Sequence, residues 1–105
     1  DLKQEDIVAL LDYLIETTSQ TITEDKQAWI QRMRDYALDN GYAKRPKDYK
    51  KDPDAYKGVF GDVMMVFRVA LTGKTQTPDL YEMVITMGAE RAIKRFQNAR
   101  DHFAS

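Results

Sequence analysis

The sequence predicts an all-α domain, a compact helical bundle of about five helices, and three observations carry that expectation. Apolar residues recur at helical spacing in four separate stretches. Cap and stop residues stand at the ends of those stretches. The one apolar run of ambiguous period finds no strand partner elsewhere in the chain. At 105 residues the chain has one domain's length, enough to bury roughly two thirds of its unfolded surface without disulfides or metals. It therefore reads as a single unit, residues 1–105, with two helices in 1–41, a basic loop over 42–57 and a three-helix unit over 58–105.

The first helix is expected over residues 5–18, where Ile7, Leu10, Leu11, Leu14 and Ile15 fall on one face. The polar cluster at 17–21 is expected to end it. A second helix is expected to start near Thr21 or Thr23, because Thr21 and Glu24 have the spacing of a capping box ahead of Trp29, Ile30, Met33, Tyr36 and Ala37. Gly41 is its natural stop. Residues 42–57 hold two prolines and many charges but no helical stripe, apart from a turn after Pro53, so an ordered or semi-ordered basic loop is expected.

The run from Gly58 is almost continuously apolar over 63–71, so period alone cannot separate helix from strand; its length and methionines favour a helix closed by Gly73. The next helix is expected to use Thr77 as N-cap, Pro78 as its first residue and Asp79 and Glu82 in its first turn, burying Leu80, Met83, Val84 and Met87. Beyond Gly88 a last helix turns Ala92, Ile93, Phe96, Ala99 and Phe103 inward and gathers Arg91, Lys94, Arg95 and Asn98 on another face.

Composition removes several classes of function. The absence of cysteine excludes disulfide scaffolds and thiolate metal sites, and a single histidine, His102, is too little for a histidine zinc cluster, so no metal ligands are assigned. No segment has the length of a membrane span or the pattern of a signal peptide, which leaves a cytoplasmic protein with no membrane partner as the expectation. A first residue of Asp1 rather than Met suggests a piece of a longer protein. The net charge of -1 hides an asymmetry: residues 1–39 set four bases against nine acids, the remainder twelve against eight. Such a split suits a polyanion docking on the second half, and equally an ordinary mixed surface.

No catalytic constellation stands out. Gly73-Lys74-Thr75 has the tail of a phosphate-cradling loop, but the glycine required five positions earlier is Arg68. His102 has no serine or cysteine nucleophile partnered to it, and paired acids such as Glu5 and Asp6 read as solvated helix starts. Three features fit RNA. Lys44, Arg45, Lys47, Lys50, Lys51 and Lys57 alternate with Tyr42, Tyr49 and Tyr56, although the tyrosines serve equally to cover the core. Arg91, Lys94 and Arg95 form a basic helix face. Arg68 is the one charge within an apolar segment and needs an acceptor, either an internal acid such as Asp62 or Glu82 or an external base edge or phosphate.

The stretch FRVALTGKTQTPDLYEMVITMGAERAIKRF, residues 67–96, closely resembles the C-terminal anticodon-binding subdomain of bacterial glutamyl-tRNA synthetases. There an RxALTG segment, a short loop, a TP or GP helix start and an LGxER helix follow in that order. Residues 29–41, Tyr56-Lys57-Gly58 and Gly61-Asp62 are similar to the helical approach to the same subdomain, less diagnostically. Departures are small: Met87-Gly88-Ala89-Glu90 replaces the usual Leu-Gly-Lys-Glu, and Phe96 a leucine.

The resemblance implies an all-helical module of the class I type that reads anticodon bases of the tRNA for glutamate, with that for glutamine left open. It implies a monomeric parent ligase whose catalytic domain, joined in cis, uses ATP and magnesium. Signatures of the HIGH and KMSKS kind are absent from this chain, so it is expected to need no cofactor and to be inactive alone. Carried over by position, the anticodon contacts fall on Arg68, Thr77, Pro78 and Leu80, with Lys74, Arg91, Lys94, Arg95, Lys47 and Lys50 as candidates for the RNA backbone. Two alternatives stay open: a helical protein-interaction module without RNA binding, using Trp29, Tyr36 and the methionines as a groove, and an independent enzyme.

Overall fold

The computed structural model describes residues 2–104, which form six α-helices and one short 3-10 turn. The helices are α1 (Gln4–Thr23), α2 (Lys26–Asp39), α3 (Pro46–Lys51), α4 (Phe60–Thr72), α5 (Leu80–Met87) and α6 (Ala89–Ala104), with the 3-10 turn at Pro53–Ala55. The all-α expectation holds, and the helix count rises by one.

α1 packs along α6, and α4 and α5 lie against the same pair. Leu10, Leu11 and Leu14 of α1 meet Val63, Phe67 and Leu71 of α4, Leu80 and Val84 of α5, and Ala92 and Phe96 of α6 in one cluster that Trp29, Met33 and Ala37 of α2 complete. Phe67 stands edge-on to Trp29, with centroids 5.8 Å apart, and to Phe96, at 5.3 Å. Such pairs add specificity beyond the area they bury.

Four expectations need correction. The threonine-rich stretch does not end α1, which runs on to Thr23. Thr17, Thr18 and Thr21 turn their hydroxyls back to the carbonyls four residues earlier, at 2.8, 2.5 and 3.2 Å, so the polar side chains are satisfied within the helix. Thr21 is therefore no N-cap. Asp25 caps α2 instead, its carboxylate accepting from the Ala28 amide at 2.8 Å.

Similarly, Thr77 does not cap α5. That role belongs to Asp79, which accepts from the Glu82 amide at 3.3 Å and leaves Pro78 outside the helix. Finally, the segment 42–57 contains α3, with Pro46 at its start, as well as the expected turn after Pro53. Its ends are clamped together: Lys57 donates to Gly41 O (2.9 Å), Ala43 to Gly58 O (2.8 Å) and Phe60 to Ala43 O (3.0 Å).

Close approach explains Gly58, where a Cβ would stand 2.5 Å from Asp62 Oδ2. That carboxylate is occupied in accepting the Val59 amide at 2.9 Å, which starts α4. Gly73, at φ 74°, closes α4 in the left-handed region as expected.

Tyr42 lies in the core with the Lys57 ammonium 5.9 Å from its ring centroid, and burial pushes its phenol up to about 12. The raised value means that the neutral phenol's stabilisation is full below the ordinary tyrosine value near 10 and is lost as pH climbs through 12. In an ultraviolet phenolate titration, Tyr42 is expected among the last of the six tyrosines to ionise. Tyr42→Phe should remove that late step and flatten the fall of stability over the same interval.

Candidate nucleic-acid interface

Arg68 sits two turns into α4, on a face that is half-buried beside Phe67 and Leu71. Its Nε donates to Thr77 Oγ1 at 3.0 Å. The acceptor foreseen within the chain was an acid, Asp62 or Glu82; the structure supplies a hydroxyl instead. Asp62 is spent on the start of α4, and among the described residues no ion pair involves Arg68.

The loop 73–79 thus folds back over the end of α4, and Thr77 is drawn to Arg68 rather than into α5. Within the loop Lys74 is joined to Thr72: Thr72 Oγ1 accepts the Lys74 amide at 3.0 Å and donates to its carbonyl at 3.4 Å. Pro78 is exposed next to Thr77. Leu80 is 4% exposed and belongs to the core, as its place on the apolar face predicts, so its side chain anchors the loop's exit from beneath and presents no face to a ligand, contrary to the anticodon contact that the resemblance implies for it.

The remaining basic candidates fall into different places. Lys74 is exposed in the same loop as Thr77. Arg95 reaches from α6 to the last turn of α4, where Nη1 donates to Leu71 O at 2.9 Å, so part of its fork satisfies a helix-terminal carbonyl. Arg91 and Lys94 are exposed on α6, while Lys47 and Lys50 are exposed on α3, within the clamped excursion. Of the three loop tyrosines, Tyr42 is buried and Tyr49 and Tyr56 are half-buried.

Sequence reasoning missed the polar connections beneath the site. Asp79 pairs with Lys26 at the start of α2, and Tyr81 Oη donates to Glu24 O at 2.5 Å. The Lys26 ammonium holds the Asp79 carboxyl below the usual carboxylate range. The only sequence signal is the acid at the start of α5, which reads simply as a first-turn residue of that helix.

A depressed carboxyl contributes above its ordinary value near 4, and the contribution is lost as pH falls through the lower folded value. Asp79→Ala should therefore cost about 1 kcal/mol at neutral pH, chiefly as a lost cap. Urea melts of both proteins between pH 7 and pH 2 check this: the gap should close on acidification.

A groove of about 800 Å³ runs beside Leu2, Ile7, Met65, Val69 and Phe103 and reaches Thr72, Gly73 and Arg95 at the base of the loop. Among the described residues no group of three or more acids and histidines stands together as a metal site, and no helix is long and apolar enough to cross a membrane.

Comparison with known proteins bears on the same region. The sequence model described as anticodon binding domain matches residues 54–100, from the 3-10 turn through α4 and α5 into α6. A glutamate–tRNA ligase of Acetivibrio thermocellus is 39% identical over 97 residues, covering 92% of this chain and 17% of the relative. One from Clostridium perfringens is 42% identical over 73 residues, 70% of this chain and 13% of the relative. A ligase of the same name from Thermus thermophilus is 46% identical over 46 residues, 43% of this chain and 10% of the relative. The chain thus spans less than a fifth of these relatives' length. No solved structure matches it.

Proposed function

We infer that the chain is an anticodon binding domain, of the kind found in glutamate–tRNA ligases, and that its work is to hold and read the anticodon of a tRNA. The observation that carries this reading is the Arg68–Thr77 pair at the loop between α4 and α5, inside the matched region. Anticodon bases are splayed and single-stranded, so their edges are open to side-chain donors and their faces to apolar cover.

Arg68 uses Nε on Thr77, which fixes the plane of its guanidinium and aims the terminal nitrogens at a base edge or an adjacent phosphate. The Thr77 hydroxyl accepts from Arg68 and still has a proton to donate to a second base. Exposed Pro78 covers a base face, and buried Leu80 holds the turn in place. A phosphate at the start of α5 is disfavoured, because the Asp79 carboxylate already occupies the Glu82 amide and adds negative charge there. Lys74 contacts the RNA backbone from the same loop, with Arg91, Lys94, Arg95, Lys47 and Lys50 as more distant contributors.

In this reading residues 1–105 act as one unit of a longer monomeric ligase in the cytoplasm, whose catalytic part, joined in cis, attaches glutamate to tRNA using ATP and magnesium. In this reading ATP, magnesium and the aminoacylation step belong to that catalytic part and not to residues 1–105. Binding isotherms with a labelled anticodon stem-loop of a glutamate tRNA test the reading. Tight, saturable binding that weakens when anticodon bases are exchanged supports it, and equal affinity for both RNAs contradicts it.

A further inference from the structure

Two polar contacts join the corner between α1 and α2 to the start of α5, across 53 and 57 residues of sequence. Lys26 pairs with Asp79, and Tyr81 gives its hydroxyl proton to the Glu24 carbonyl while its ring lies 5.7 Å from that of Trp29. The corner is itself braced. Arg32 donates to the Glu24 carboxylate at 2.6 Å, to Tyr13 Oη at 2.8 Å and to Thr21 Oγ1 at 2.9 Å. Burial works against the Arg32 charge, and the bonds to Glu24 and Tyr13 outweigh it, so its pKa lies above the ordinary value.

We propose that this corner, acting through Lys26 and Tyr81, is a positioning element for base recognition: it sets where the turn carrying Thr77 and Pro78 stands against Arg68. Lys26 and Glu24 lie outside the matched region 54–100, and the inference rests on the reading of Arg68 and Thr77 given above. The geometry requires such a support. Asp79 is only two residues beyond Thr77, and the loop before it has few hydrogen bonds of its own, so its course is set by its two ends. One end is the last turn of α4; the other is the start of α5, which the corner holds. A recognition turn must be kept within about 0.5 Å of its working geometry, and loops do so only with support from rigid elements.

Tyr81→Phe removes the hydroxyl and keeps the ring on Trp29, while Lys26→Gln removes the charge and Lys26→Arg keeps it. The affinities of the 105-residue chain for cognate and base-exchanged stem-loops, measured over a range of salt, provide the readout. Tyr81→Phe and Lys26→Gln should each lower the cognate-to-exchanged ratio about three- to tenfold, the scale of supporting residues that do not touch the ligand. Lys26→Arg should restore it. The salt dependence should stay unchanged, since a direct phosphate contact by Lys26 would instead reduce its slope by about 0.7 and weaken both RNAs alike. That pattern, or an unchanged ratio in both variants, overturns the proposal. Should Tyr81→Phe prove unstable by circular dichroism, the Lys26 pair decides. A parent chain with no discrimination to lose would instead refute base reading itself, and the positioning role with it.

Discussion

Arg68→Ala weakens binding to the cognate anticodon stem-loop by about 1–3 kcal/mol, roughly five- to 150-fold, the cost of one arginine that reads a base edge. The weakening should fall mainly on the cognate RNA, so that the two affinities converge. Arg68→Lys should fail to restore discrimination, because a flexible ammonium keeps the charge and loses the planar fork that Thr77 orients. Removal of the side chain also frees Thr77, which is only half-buried, so the accompanying stability loss should be small. Fluorescence anisotropy gives the affinities and a urea melt the stability. Equal weakening of both RNAs would reduce Arg68 to an electrostatic contact.

The largest effect on folding is expected at Phe96. Its ring is 1% exposed and meets Phe67 edge-on at 5.3 Å, where α6, α4 and α1 converge. Phe96→Ala leaves a cavity that rigid helices on three sides cannot fill, at a cost of about 3–5 kcal/mol. Single domains have only about 5–15 kcal/mol in total, so the variant should be marginal or unfolded at room temperature. Urea denaturation followed by circular dichroism measures the change, and a loss below about 1 kcal/mol would mean that the ring is not packed as described. Phe96→Leu, of nearer volume, should recover most of the stability.

These two residues were visible in the sequence for different reasons. Phe96 belonged to a clear helical stripe, as did Leu10, Leu14, Met33 and Val84, and the stripe placed all of them in the core. Helix α4 had no period to show because most of its residues are apolar, and it was identified by length and by the lack of a strand to pair with. Arg68 stood out as one charge in that run. What could not be read was its partner, since Thr77 looks locally like a helix cap, and only the fold reveals that Asp79 takes that place and releases Thr77 to Arg68.

Polarity misled at two further points. Thr17, Thr18 and Thr21 looked like a break because a threonine's own bond to the preceding turn leaves no mark in the sequence pattern. Helix α3 has no buried residue, so no apolar stripe announced it; Pro46 at its start was the one available signal and was read as a loop residue. The links from Glu24 and Lys26 to Tyr81 and Asp79 were invisible for a third reason, their partners being more than fifty residues apart along the chain.

The central claim, that the chain reads anticodon bases through Arg68 and the turn at Thr77, is tested most directly by an amide-resolved NMR titration. The chain is titrated with a glutamate tRNA anticodon stem-loop and, separately, with one whose anticodon bases are exchanged, at low and at physiological salt. Saturable shifts centred on Arg68 and the turn at Thr77 that depend on the anticodon and survive the higher salt are the expected result. Shifts confined to α3 and its lysines, equal for both RNAs and erased by salt, would contradict it and leave only non-specific attraction to the phosphate backbone.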